Sequence, residues 1–241
     1  MKPLFFSLLI SMTPFFLVAQ DHQTNKKNLS RHLREVYDVL KADWKIRDGS
    51  YSVINDDGQT IVKGAYSKGH KTGVWTYYDD NGRQVQQYDF TNDSLIFQDK
   101  DSLSVVHDDF QIPGVADESA VIRPAFKIGG AEYGFYLLYD ERDIPAEVRS
   151  ATAVAQMTYV LTISDKGTLE NYRILFHGDG FTDIAIPRSV KGLPAEAREF
   201  TAATLNGHPV RSQLSWTIPL DIRHFEHPGT NYFPTQKTSK D

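Results

Sequence analysis

Apolar positions change their spacing several times along the chain. Residues 1–19 place Lys2 ahead of Leu4-Phe5-Phe6-Ser7-Leu8-Leu9-Ile10 and Phe15-Phe16-Leu17-Val18-Ala19, one apolar run behind a single positive charge that ends on a small residue. That order is the grammar of an export signal, with cleavage expected near Ala19. A membrane span needs about 20 apolar residues, and this shorter run is broken by Pro14, so an inner-membrane anchor is the weaker alternative. In residues 20–43, Leu29, Leu33, Val36, Tyr37 and Leu40 follow i, i+4, i+7, i+8 and i+11. This spacing predicts an amphipathic helix, capped by Asn28 or Ser30.

From residue 44 to 110 the spacing becomes that of strands and repeats itself. Gly49 aligns with Gly73, Tyr51 with Trp75, Gly58 with Gly82, Ile61 with Val85 and Tyr66 with Phe90, a period of 24 residues. Asp56-Asp57-Gly58 and Asp79-Asp80-Asn81-Gly82 interrupt alternating apolar runs. Asn-Gly and Asp-Gly pairs tolerate positive φ, so each unit reads as strand, turn and strand. One aromatic per hairpin gives an apolar face that only a neighbouring hairpin can bury. A third unit, from Phe90 to about Ser104, keeps Leu95-Ile96-Phe97 without the glycines and is expected to be a capping strand.

Residues 111–224 mix both periods. Ala131–Asp140, Ile144–Arg149 and Leu193–Ala203 have helical spacing, the latter two opening on Pro145 and Pro194, where a first helical turn tolerates proline. Ala155–Ser164 and Leu169–Phe176 alternate around Asp165-Lys166-Gly167 as a hairpin, and Arg211–Ile222 alternates Leu214, Trp216, Ile218, Leu220 and Ile222. Helices over an antiparallel sheet predict an α+β fold. Residues 225–241 read as a polar tail.

Two resemblances accompany these patterns. Gly64-Ala-Tyr66-Ser-Lys-Gly69-His-Lys-Thr-Gly73-Val-Trp75-Thr-Tyr77-Tyr78 with Asp80-Asn81-Gly82 resembles the MORN-type repeat of bacterial repeat proteins, which implies an extended β-meander used for interaction. Residues from Val121 to Arg223 resemble the TonB C-terminal domain, the energy transducer of Gram-negative outer-membrane transport. The likeness rests on Arg123-Pro124-Ala125-Phe126-Lys-Ile-Gly129-Gly130, Ile144-Pro145-Ala146-Glu147-Val148-Arg149 and Ser164-Asp165-Lys166-Gly167. It continues through Phe200-Thr-Ala202-Ala203-Thr-Leu205-Asn206-Gly207-His208-Pro209-Val210 to Trp216-Thr-Ile218-Pro219-Leu220. Phe200 stands where that family usually has Trp. The chain lacks the Pro-rich linker of a working transducer, and Pro187 falls in a stretch that the family makes helical, so the resemblance implies association with transport rather than force transmission.

Composition narrows the partners. With 26 basic and 31 acidic residues the net charge is −5, which offers no basic excess for nucleic-acid phosphates. Cysteine is absent, which excludes disulfides, thiolate nucleophiles and cysteine-ligated metals. No Gly-x-Ser-x-Gly elbow, phosphate loop or His-Glu-x-x-His occurs, and His224-Phe-Glu-His227 falls at the start of the tail, so no enzymatic activity, metal or cofactor is expected. The function expected is that of a periplasmic or secreted, non-enzymatic binding protein whose partner is an outer-membrane transporter or another envelope protein. Two surfaces are candidates. One is the strand Arg211–Ile222 as a sheet edge, with Arg211, Gln213, Ser215 and Thr217 facing outward to take up a peptide strand or a second copy in a homodimer. The other is the repeat surface of Tyr66, Trp75, Tyr77 and Tyr78, with the TonB-like half as its scaffold.

Overall fold

The computed structural model describes residues 21–99, 107–115, 119–150 and 155–220. The expected signal, the tail and His224-Phe-Glu-His227 lie outside the described residues. Seven strands, β1 (His22–Asn28), β2 (Leu33–Leu40), β3 (Asp43–Asn55), β4 (Thr60–Ser67), β5 (His70–Tyr78), β6 (Gln84–Asp89) and β7 (Ser94–Gln98), form an antiparallel meander in which each strand pairs only with its neighbours in sequence. The polar turn residues close these hairpins with their own side chains. Asp79 accepts the backbone N–H groups of Asn81 and Arg83, both at 2.9 Å, and Asn55 accepts that of Gln59 at 2.8 Å. Such bonds replace the ladder partners that a turn lacks.

The second half begins with β8 (His107–Gln111), β9 (Ile122–Arg123) and β10 (Phe126–Lys127), followed by α1 (Gly130–Leu138) and α2 (Ala146–Arg149). Strands β11 (Ala155–Ile163), β12 (Leu169–Gly178) and β13 (Ile184–Arg188) come next, then β14 (Phe200–Thr201), β15 (Ala203–Leu205), β16 (His208–Val210) and β17 (Ser212–Leu220). The main sheet has the order β13-β12-β11-β17-β8, with β16-β15-β9 and β10-β14 as smaller ladders.

The α+β expectation is corrected: among the described residues strands make up 58% and helical turns 11%, with only two α-helices beside large antiparallel sheets. Two misread segments account for the difference. The helix expected in residues 20–43 is the hairpin β1–β2. Leu33, Glu35 and Val39 are its buried positions, so the true period is two. Glu35, a carboxylate on an inward position, broke the apolar alternation and left the i, i+4 spacing of Leu29 and Leu33 to suggest a helix. The helix expected at Leu193–Ala203 is one 3₁₀ turn, Ala195–Arg198, followed by two short strands. Here the carbonyls of Glu196 and Glu199 accept from the Lys127 amine, at 2.7 and 2.8 Å, and no helix continues across them. Pro187 lies on β13, an outer strand of its sheet, where the missing N–H costs no ladder bond.

Both halves share one buried cluster. In the meander, Trp75 lies against Tyr51, Tyr66 and Phe90 with ring centroids 4.9, 5.4 and 5.2 Å apart. Gly64 on the adjacent strand makes room for the indole, since a Cβ there would stand 2.3 Å from Trp75 Cδ2. Across the seam Tyr77 meets Tyr133 of α1 at 5.6 Å. Gly129 permits that approach, because a Cβ on it would lie 2.5 Å from Tyr133 and 2.8 Å from Tyr77, and its φ of +102° suits glycine besides. Gln86 completes the joint, accepting from the Gly129 N–H at 2.5 Å and donating to the Lys127 carbonyl at 3.2 Å.

Candidate binding surfaces

Strand β17 is not a sheet edge. It pairs with β11 on one side and with β8 on the other, in the register Gln213 to Gln111, Ser215 to Asp109 and Thr217 to His107. The alternation places Gln213, Ser215 and Thr217 opposite the buried Leu214 and Trp216, but their strand is already covered. Gln111 donates to Gln213 at 2.9 Å, Thr217 bonds Thr158 at 2.9 Å, and Arg211 pairs with Glu170 at 2.6 Å. The edge expected there is β8, which the residues Asp108 to Gln111 did not reveal because they are too few and too polar to read as a strand.

The repeat aromatics divide. Tyr66, Trp75 and Tyr77 are buried in the shared core, and Tyr78 alone of the four stays half-buried on the opposite face, with the Lys63 amine 5.7 Å from its ring. A contact surface made of all four is therefore corrected to Tyr78 and its neighbours.

The sheet edges differ in chemistry. Edge strand β1 presents Lys26 and Lys27, β13 carries Pro187, and β8 brings Asp109 to its rim. Lysine, proline and inserted charge are the usual means of blunting an edge. Among the smaller ladders β16 contains Pro209 and β9 is two residues long. Strand β7 carries no lysine, proline or charge, and a bulge at Ile96 is its one such device. All five of its residues are exposed, and Leu95, Ile96 and Phe97 remain 40%, 53% and 39% accessible. A register shift against β6 leaves Ile96 without an opposite residue, and it is the most exposed of the three.

A polar cleft of about 630 Å³ opens where the meander meets the segment before β14, lined by Lys27, Lys45, Arg47, Tyr66, Leu193 and Glu196 among others. The Arg47 and Glu196 charges at its wall are engaged within the protein. Arg47 Nη2 lies 2.8 Å from both oxygens of Glu35, Nη1 donates to Tyr66 Oη at 3.1 Å, and Glu196 Oε1 is 3.6 Å away. The guanidinium stacks 4.5 Å above Tyr37, and Tyr51 Oη bridges Glu35 at 3.2 Å and Glu196 at 3.4 Å. Burial pushes the Glu35 carboxyl up, Arg47 pulls it back, and Glu196 pushes it up again. This network ties β2 and β3 to the 3₁₀ turn of the second half. Nothing in the spacing of Glu35, Arg47 and Glu196 announced it, because the Arg47–Glu196 pair spans 149 positions of sequence.

A second acidic group has a consequence for stability. Burial, with Asp80 and Asp79 nearby, raises the Glu132 carboxyl to about 7 against an ordinary 4.5, with Arg83 opposing. The folded state therefore holds a proton that the unfolded chain releases. The contribution of the neutral carboxyl is complete below about pH 4.5 and is lost as the pH rises through about 7. Glu132→Gln is expected to stabilise the protein by ~1–2 kcal/mol at pH 8 and to change little at pH 4.5. Urea titrations at the two pH values check this, and an equal effect at both would contradict the shifted carboxyl.

Among the described residues no helix is long and apolar enough to cross a membrane. Comparison with known proteins gives no match among family models, curated proteins or solved structures.

Proposed function

We propose that the chain is a non-enzymatic binding protein of the cell envelope in which the N-terminal meander carries the partner and the second half serves as scaffold. The observation that carries this reading is the open edge β7, three consecutive exposed apolar residues on a strand that, among the described residues, is paired on one side only. Apolar edges recruit extended segments, since main-chain bonds supply affinity and side chains supply selection. The leader-like first 19 residues and the TonB-like sequence of the second half support a periplasmic setting and an outer-membrane transporter, or another envelope protein, as the partner.

In cells, a photo-activatable residue at position 96 is expected to cross-link to an envelope protein, whereas the same residue at position 26 on β1 gives no such adduct. Equal labelling from both edges, or none from position 96, overturns the reading.

A further inference from the structure

Resting on that reading, we infer that β7 takes up an extended segment of another protein with an apolar centre and a basic residue at the end beside Asp89 and Asp93. The segment adds to the meander as an eighth strand.

The ends of β7 differ in charge. At the Ser94 end Asp89 closes β6 opposite Ser94, and Asp93 lies in the turn that joins the two strands. The Asp89 carboxylate accepts from the Asn92 side chain at 2.7 Å and from the backbone N–H groups of Thr91 and Asn92. Those bonds, the Asn92 side chain first, hold it below the usual carboxylate range, so it is ionised at neutral pH. Asp93 accepts from Tyr88 Oη at 2.6 Å, a neutral donor that leaves its charge uncompensated. No salt bridge to either carboxylate occurs among the described residues. At the Gln98 end Asp99 has Arg83 3.5 Å away. An incoming strand thus meets a negative corner at one end, an apolar middle and a partly neutralised corner at the other. A lysine or arginine at the first corner gains chiefly from Asp93, with Asp89 one strand further in adding to the field, while an aspartate there is repelled.

The same charges disfavour a second copy of the chain. Two β7 strands pairing antiparallel about Ile96 set Leu95 against Phe97, which is compatible, but bring each Asp93 opposite an Asp99. Like charges directly across a ladder are destabilising. The bulge at Ile96 bends the edge, which suits a short incoming segment better than a long one.

The test uses the purified full chain and three labelled peptides sharing the core Val-Thr-Val-Thr-Val, flanked at both ends by lysine, by serine or by aspartate. Fluorescence anisotropy at low salt is expected to rank them Lys, Ser, Asp, with about threefold between successive members. Raising the salt to 1 M compresses that ranking. Ile96→Lys weakens all three by about tenfold, Asp93→Asn narrows the gap between the Lys and Asp peptides, and Lys26→Leu on β1 changes neither. Far-UV circular dichroism verifies that each variant is folded. Binding that ignores flank charge, or that survives Ile96→Lys in a folded variant, overturns the inference. Ile96-dependent self-association in sedimentation assigns the edge to a second copy and overturns it as well. In those cases an Ile96-dependent adduct in cells still leaves the binding-module reading standing, whereas loss of that adduct removes both.

Discussion

Replacing Lys127 with methionine is expected to lower the unfolding free energy by about 3–5 kcal/mol, since three buried carbonyls lose their donor at about 1–3 kcal/mol each and the removal of a buried charge offsets part of that. Lys127 is 3% exposed, and its amine donates to the carbonyls of Ile128 at 2.9 Å, Glu196 at 2.7 Å and Glu199 at 2.8 Å. Burial pushes its pKa down to about 7. Glu199 and Glu196 oppose that shift, and the Lys71 charge adds to it. Three carbonyl acceptors call for three N–H donors, which only the ammonium form supplies. Methionine keeps most of the stem volume, so the loss measured is that of the donors and of three carbonyls left without partners in the interior. Urea unfolding followed by far-UV circular dichroism measures it. A value within about 1 kcal/mol of the parent would mean that water or other donors replace the amine, and that the segment 196–199 is not held by it.

Trp75→Ala is expected to cost a similar 3–5 kcal/mol, because it empties the centre of the aromatic row that joins the inner faces of β3 to β6. The indole is 1% exposed. Its Nε1 has no hydrogen-bond partner among the described residues, which places the effect towards the lower part of that range, since an unbonded N–H is removed with the ring. Gly64→Ala alone is expected to cost about 1–3 kcal/mol through the clash of the new methyl with the ring. In the Trp75→Ala background the same change should cost far less, because the atoms it strikes are gone. Chemical denaturation of the four proteins closes the cycle. Additive losses would show that Gly64 is needed for a reason other than the indole.

The hairpins were legible wherever a turn residue and an alternating run coincided, as at Asp56-Asp57-Gly58 and at Ser164-Asp165-Lys166-Gly167, since both signals are local. They failed where an inward position carried charge. Glu35 and Lys127 are both buried, and each hid its surroundings because alternation is scored on apolar side chains. The covering of β17 by β8 was illegible for another reason. It depends on a pairing between Gln111 and Gln213 that no local pattern encodes. The exposed edge was half legible: Leu95-Ile96-Phe97 read as a final strand, but only the finished topology shows that nothing described lies beyond it.

The pairing of β8 with β17 also orders events during synthesis. Every ladder of the meander joins consecutive strands, so residues 21–99 have all their sheet partners as soon as they emerge. Strand β8 emerges next into the compartment where the chain folds and finds none, because its partner begins at Ser212, about 100 residues later. For export coupled to synthesis at ~5–20 residues per second, the wait lasts on the order of 5–20 seconds. During that interval a completed hairpin sheet, with Leu95, Ile96 and Phe97 on its rim and Tyr77 not yet met by Tyr133 of α1, is tethered to an unfinished chain. The sticky edge is thus present on the nascent polypeptide before its scaffold exists, and a holding chaperone has its clearest target there.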